Sequence, residues 1–132
     1  MNKLLLFFCL LASTSVFSDL KSDLDNQINP LMDKVIEWRH DIHQNPELSN
    51  REYRTAKKIE AHLRSLGIKV ETKIAYTGVV GLIEGDLPGP TIALRADMDA
   101  LPVVEKTGLP FASKDKTKYL GQTVGIMHAC GH

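Results

Sequence analysis

The period of the hydrophobic pattern changes at Gly67, and that change confines the chain to folds that run a helix directly into a strand. Before it, Tyr53, Ala56, Ile59, Leu63 and Leu66 recur at steps of three and four, the spacing of one helical face. Ser49 and Glu52 stand as a capping box at the start of this helix. Gly67 stands where a left-handed residue closes one. Arg54, Lys57, Lys58, Glu60 and Arg64 fall on the opposite, solvated face. After Gly67 the run Ile68-Lys69-Val70-Glu71-Thr72-Lys73-Ile74 alternates apolar and polar, which predicts a strand with one wet face.

The same reading extends both ways. Upstream, Asp19 to Gln27 is polar, and Asn29-Pro30 looks like an N-cap with proline at the first helical position. Ile28, Leu31, Met32, Val35, Ile36 and Ile42 then repeat at helical spacing, predicting a helix from about Pro30 to His43. Asn45-Pro46 ends it, because a residue before proline avoids the helical region. Downstream, Thr77-Gly78 makes a turn, and the apolar run Val79–Ile83 predicts a strand covered on both faces. Residues Gly85 to Pro90 form a loop by composition. Thr91–Leu94 predicts a second buried strand, and the short connection favours an antiparallel pair. Lys106 to Gly125 is polar and loop-like, with Lys114, Lys116 and Lys118 at the surface. The fold class expected is α/β, a layered mixed sheet flanked by helices.

The chain has 132 residues, enough for one domain and too few for two. Its formal net charge is zero, so nothing points to nucleic acid or an anionic membrane as partner. Residues 1–18 differ in kind. Lys3 gives a positive start, Leu4–Ala12 is unbroken apolar sequence, and Val16 and Ser18 fit the small positions before a cut. This is the signal-peptide pattern, too short to span a bilayer. Cleavage is expected after Ser18, giving an exported protein, periplasmic or secreted, with no membrane anchor. The cut removes Cys9 and leaves Cys130 as the one thiol, which cannot form an internal disulfide.

That thiol lies in Met127-His128-Ala129-Cys130-Gly131-His132. A thiolate two residues from an imidazole is a metal-ligand arrangement, and Cys130 and His132 could serve one ion or one each of a pair. Arg95-Ala96-Asp97-Met98-Asp99-Ala100-Leu101-Pro102 supplies two carboxylates directly after the last predicted strand, where α/β proteins bind ligands. In extended chain Asp97 and Asp99 point the same way. Arg95 is close enough to offset some of their charge. The bland reading of this pair is a turn with two solvated aspartates.

These segments carry a resemblance. Arg39-His40-Asp41-Ile42-His43, Asn45-Pro46-Glu47-Leu48, Glu52-Tyr53-Arg54-Thr55-Ala56, Thr77-Gly78-Val79-Val80, Leu94 to Pro102 and Met127 to His132 follow in order along the chain. From about Leu31 to His132 the sequence resembles the N-terminal part of the metal-dependent amidohydrolases that include hippurate hydrolase, N-acyl-amino-acid amidohydrolases and indole-acetyl-amino-acid hydrolases. They form a branch of the aminoacylase and zinc-carboxypeptidase clan. The resemblance implies a zinc-exopeptidase-like catalytic domain over residues 19–132, truncated. It implies hydrolysis of the amide bond of N-acyl amino acids by two divalent ions, zinc or manganese. Cys130 and His132 correspond to the family's metal ligands. Asp99 corresponds to a supporting catalytic aspartate, acting by orienting a ligand. Asp97, Arg95 and His128 would line the site. The implied partner is a small N-acyl amino acid, and the full-length family implies a homodimer.

The family pattern continues with an Asp and a His, a Glu-Glu pair that includes the base, and two further His ligands. None of these falls within the 132 residues, so the chain is expected to be a fragment, inactive alone. Two other classes stay open. One is a non-catalytic exported α/β fragment. The other is a cysteine hydrolase with Cys130 as nucleophile and His128 or His132 as base, for which no motif supplies the oxyanion hole or orienting acid.

Overall fold

The computed structural model describes residues 19–130. The predicted signal segment, with its cleavage point after Ser18, lies outside the described residues, as do Gly131 and His132. The chain divides into two units, one up to Arg39 and one from His40 onward.

In the first unit, residues 19–28 form helix α1. A 3-10 turn, Asn29–Leu31, joins it to helix α2, Met32–Gln44. Helical structure is therefore already present upstream of the proline, and α2 itself begins at Met32, two residues after it. Asn29 does not cap it: Ile28 occupies the cap position in helical conformation without a side-chain bond. Pro30 is accommodated because the first positions of a helical turn need no donor. The apolar stripe Ile28, Leu31, Met32, Val35 and Ile36 is exposed, at 39–57%.

In the second unit, α2 ends at the predicted place. Asn45 closes it by donating its backbone N–H and its side-chain amide to the Asp41 carbonyl, at 3.2 and 2.8 Å. Helix α3, Tyr53–Ser65, follows. Its cap differs from the capping box. Ser49 makes no cap bond; the Glu47 carboxylate accepts from the backbone N–H groups of Arg54 and Thr55, at 3.0 and 2.8 Å. Glu52 instead accepts from the Asn50 N–H and the Thr77 hydroxyl, at 3.0 and 2.5 Å. A carboxylate suits the positive end of the helix dipole, and Glu47 reaches it because Pro46 and Leu48 on either side are buried. Asp41 ties α2 to α3 through ion pairs with Lys58 and with Arg54. Lys58, and then Arg54, hold its carboxyl below the usual aspartate range.

Gly67 ends α3 as predicted, with φ of 75°. Its N–H donates to the Arg64 carbonyl at 3.0 Å and the Ile68 N–H to the Leu63 carbonyl at 3.2 Å, the two bonds of a Schellman motif. Strand β1, Lys69–Ile74, pairs antiparallel with β2, Gly78–Leu82, in the register Lys69↔Leu82 to Thr72↔Val79. α3 lies close over this hairpin: a Cβ on Gly81 would stand 3.3 Å from Leu63 and 3.2 Å from Ile68.

Two strand expectations need correction. β2 is not covered on both faces, since Val80, Leu82 and Ile83 are 48%, 50% and 77% exposed. Thr91–Leu94 forms no strand, and Ile92 and Leu94 are 80% and 96% exposed. An apolar run becomes a buried strand only where neighbours bond its backbone and cover its side chains. Among the described residues β2 pairs with β1 alone, and 91–94 pairs with nothing. The polar stretch after Lys106 also contains structure. β3, Lys116–Tyr119, and β4, Gln122–Gly125, form a hairpin. Leu120 and Gly121 turn it with φ of 47° and 80°, both positive as a type I′ turn requires.

The fold is α/β with strand pairings of both senses. Leu48 bridges Ala100 in parallel, and Leu101 bridges Met127 antiparallel. The core follows these crossings: Leu48, Ala100 and Ile126 are 5%, 1% and 5% exposed. Among the described residues no helix is long and apolar enough to cross a membrane.

Candidate functional site

Ala100 and Leu101 hold the acidic segment in place from two sides. The Ala100 N–H donates to the Glu47 carbonyl at 2.7 Å. Leu101 and Met127 exchange both backbone bonds, at 3.0 and 3.1 Å. One residue after that pair stands His128; two residues before it stands Asp99. The crossing therefore sets the acidic segment beside the His-Cys segment, across about thirty residues of sequence.

The result is a cavity of about 190 Å³ lined by Asp97, Asp99, Leu101, His128 and Cys130. Asp97 pairs with Arg95, whose Nε and Nη2 donate at 2.9 and 2.8 Å. The Arg95 side chain is 88% exposed, so the pair adds little to stability. The Cys130 thiol is free and exposed. His128 hydrogen-bonds the Asp99 backbone. Its Nε2 is enclosed and has no hydrogen-bond partner. Burial holds the His128 pKa below the usual histidine value, the His43 charge adds to this, and Asp99 opposes it. His128 is thus the neutral imidazole at neutral pH.

A thiol, a neutral imidazole and two carboxylates on one wall are the mixed donors that zinc and manganese accept. This donor chemistry fits the implied cofactor. Among the described residues no three such side chains converge closely enough to hold an ion by themselves, and His132 lies outside the described residues. The sequence-predicted residues Asp97, Asp99, His128 and Cys130 come together; Arg95 joins them through Asp97.

Beside His128 is a cluster to which the sequence assigned no site role. His43 Nε2 lies 3.0 and 3.1 Å from the two oxygens of Glu105. The Glu105 side chain is 0% exposed. The Thr107 hydroxyl and the Ser113 N–H each donate to it at 2.5 Å. The Thr107 bond above all, then those from His43 and Ser113, pull the Glu105 pKa from 4.5 to about 2. Phe111 stacks on His40, with ring centroids 3.8 Å apart, and meets His43 edge-on at 5.7 Å. The His43 and His128 rings are 6.3 Å apart. In the sequence His43 stood only within the Arg39–His43 block of the resemblance, with no site role attached.

No family model matches the chain. Over 115 residues it is 50% identical to thermostable carboxypeptidase 2 of Saccharolobus solfataricus, covering 86% of this chain and 27% of that protein. It is 48% identical over 105 residues to N-acetyl-L-cysteine deacetylase of Bacillus subtilis, covering 80% and 23%. Its fold matches the crystal structure of the Bacillus subtilis YXEP protein, a dinuclear metal-binding peptidase of the M20 family. The TM-score is 0.66 at 43% identity, covering 78% of this chain and 27% of that one. The chain spans about a quarter of the length of these relatives, all hydrolases by name.

Proposed function

We infer that this chain, which resembles the N-terminal part of metal-dependent amidohydrolases and matches about a quarter of the length of the named hydrolases, supplies part of a two-metal hydrolytic centre. The reaction is hydrolysis of the amide bond of N-acyl amino acids. One observation carries this reading: Asp97, Asp99, His128 and Cys130, drawn from two distant segments, line one cavity.

When bound, divalent ions polarise the scissile carbonyl and lower the pKa of a water. Cys130 and His132 would hold them, with the thiolate favouring zinc over manganese. Asp99 sets the orientation and basicity of a ligand. Asp97, paired with Arg95, contributes a carboxylate to the lining of the cavity. His128, neutral and bonded to the Asp99 backbone, holds the acidic segment against the His-Cys segment. The resemblance finds no match among these 132 residues for the family's general base and remaining ligands, so residues 1–132 alone are expected to give no turnover. We further propose export, supported by Lys3, the Leu4–Ala12 run and the Val16–Ser18 boundary, and a homodimeric complete protein, by resemblance.

The test is metal analysis by mass spectrometry beside a hydrolysis assay on the complete protein. Cys130→Ser and His132→Ala should lose metal and turnover together. Asp99→Asn should keep part of its metal while the rate falls about 10–100-fold. His128→Ala removes no ligand and should still bind metal, though about 10–100-fold more weakly. Full metal with lost turnover in Cys130→Ser would instead identify Cys130 as a nucleophile.

A further inference from the structure

The enclosed Glu105 carboxylate is saturated. Oε1 accepts from the Thr107 hydroxyl and Oε2 from the Ser113 N–H, and His43 Nε2 spans both oxygens at 3.0 and 3.1 Å. No exposed face remains from which it could take a proton from a substrate. A buried, fully bonded acid holds its partners still, and the partner it holds is the His43 ring. That ring is also edge-on against Phe111 and lies tilted beside the His128 ring, 6.3 Å between centroids. His128 in turn hydrogen-bonds the Asp99 backbone and lines the cavity with Cys130.

We propose that Glu105 and His43 are positioning residues of the cavity: the carboxylate locks the His43 ring, and His43 braces His128, which fixes the acidic segment relative to Cys130. The inference rests on the metal-site reading above. Neither residue touches the cavity, and their effect passes through His128. Such outer groups typically govern 10–100-fold in metal affinity.

Cobalt(II) alone is the probe, titrated into the metal-free complete protein while the cobalt–thiolate charge-transfer band is followed. Cys130→Ser tests the site itself. If the wild type shows no such band, the metal-site reading falls and takes this inference with it. If the band is present and absent in Cys130→Ser, that reading stands and the outer residues decide. Glu105→Gln should then weaken cobalt binding about 10–100-fold and alter the band. His43→Ala should do the same. His43→Gln, whose amide can donate to Glu105 as Nε2 does, should restore both. Should Glu105→Gln fail to fold, the His43→Ala and His43→Gln pair decides alone. Wild-type affinity and band shape in Glu105→Gln and His43→Ala would overturn the proposal. So would equal losses in His43→Ala and His43→Gln, which mark packing rather than a specific bond.

Discussion

Leu101 and Met127 exchange both of their backbone hydrogen bonds, at 3.0 and 3.1 Å, and this one pair brings the acidic segment to the His-Cys segment. It is a closely bonded antiparallel pair that lies outside the strands, two residues past the end of β4. Its position depends on anchors elsewhere in the second unit, chief among them the Glu47 segment, which bonds Ala100 on one side and α3 on the other.

Glu47 is therefore expected to matter more than its place in a connecting segment suggests. Glu47→Ala leaves two N–H groups at the start of α3 without a partner, at a cost of about 1–2 kcal/mol. Ser49→Ala, which removes no cap bond, should change stability little. Urea denaturation of both variants checks this; equal losses would contradict the cap seen here.

Gly78 begins β2 where space is absent. A Cβ there would stand 2.5 Å from the Ile74 carbonyl oxygen, a backbone atom that cannot swing aside. Gly78→Ala should cost about 1–3 kcal/mol through backbone displacement. Gly89→Ala, with nothing within 4 Å of the added carbon, should fall within about 0.5 kcal/mol of wild type. The comparison of the two melting curves is the measurement.

Acid should act through Glu105. Its folded pKa is depressed from 4.5 to about 2. The stability it contributes is therefore present above the unfolded value and is lost as pH falls from 4.5 toward about 2. Glu105→Gln should flatten the stability profile across that window and leave its slope near neutrality unchanged. Denaturation midpoints measured across the acid range would show it, and an unchanged acid slope would exclude Glu105 as the source.

Export predicts a mature N-terminus at Asp19. N-terminal sequencing of the exported protein reads this directly. An intact Met1 on protein retained in the cytoplasm would count against the signal segment.

Local chemistry by itself determined the elements whose causes are local. The repeat from Tyr53 to Leu66 and the left-handed Gly67 set α3 and its end, because both depend on residues within a turn or two. Asn45-Pro46 ended α2 and the alternation of 68–74 placed β1 for the same reason. Asp97, Asp99, His128 and Cys130 were legible as site candidates because carboxylates, imidazole and thiol in short spacings declare their chemistry without a fold. What only the tertiary structure decided involves partners far away in sequence. Ser49 and Glu52 matched the capping pattern, yet Glu47 took the cap once its buried neighbours aimed it at α3. Val79–Ile83 and Thr91–Leu94 read as buried strands, but burial depends on what packs against a strand. The Glu105–His43 pair spans 62 residues and left no periodic trace, since a bond between two loop or helix-end side chains depends on where the backbone crosses itself. That crossing, at Leu101 and Met127, is the feature on which the site depends.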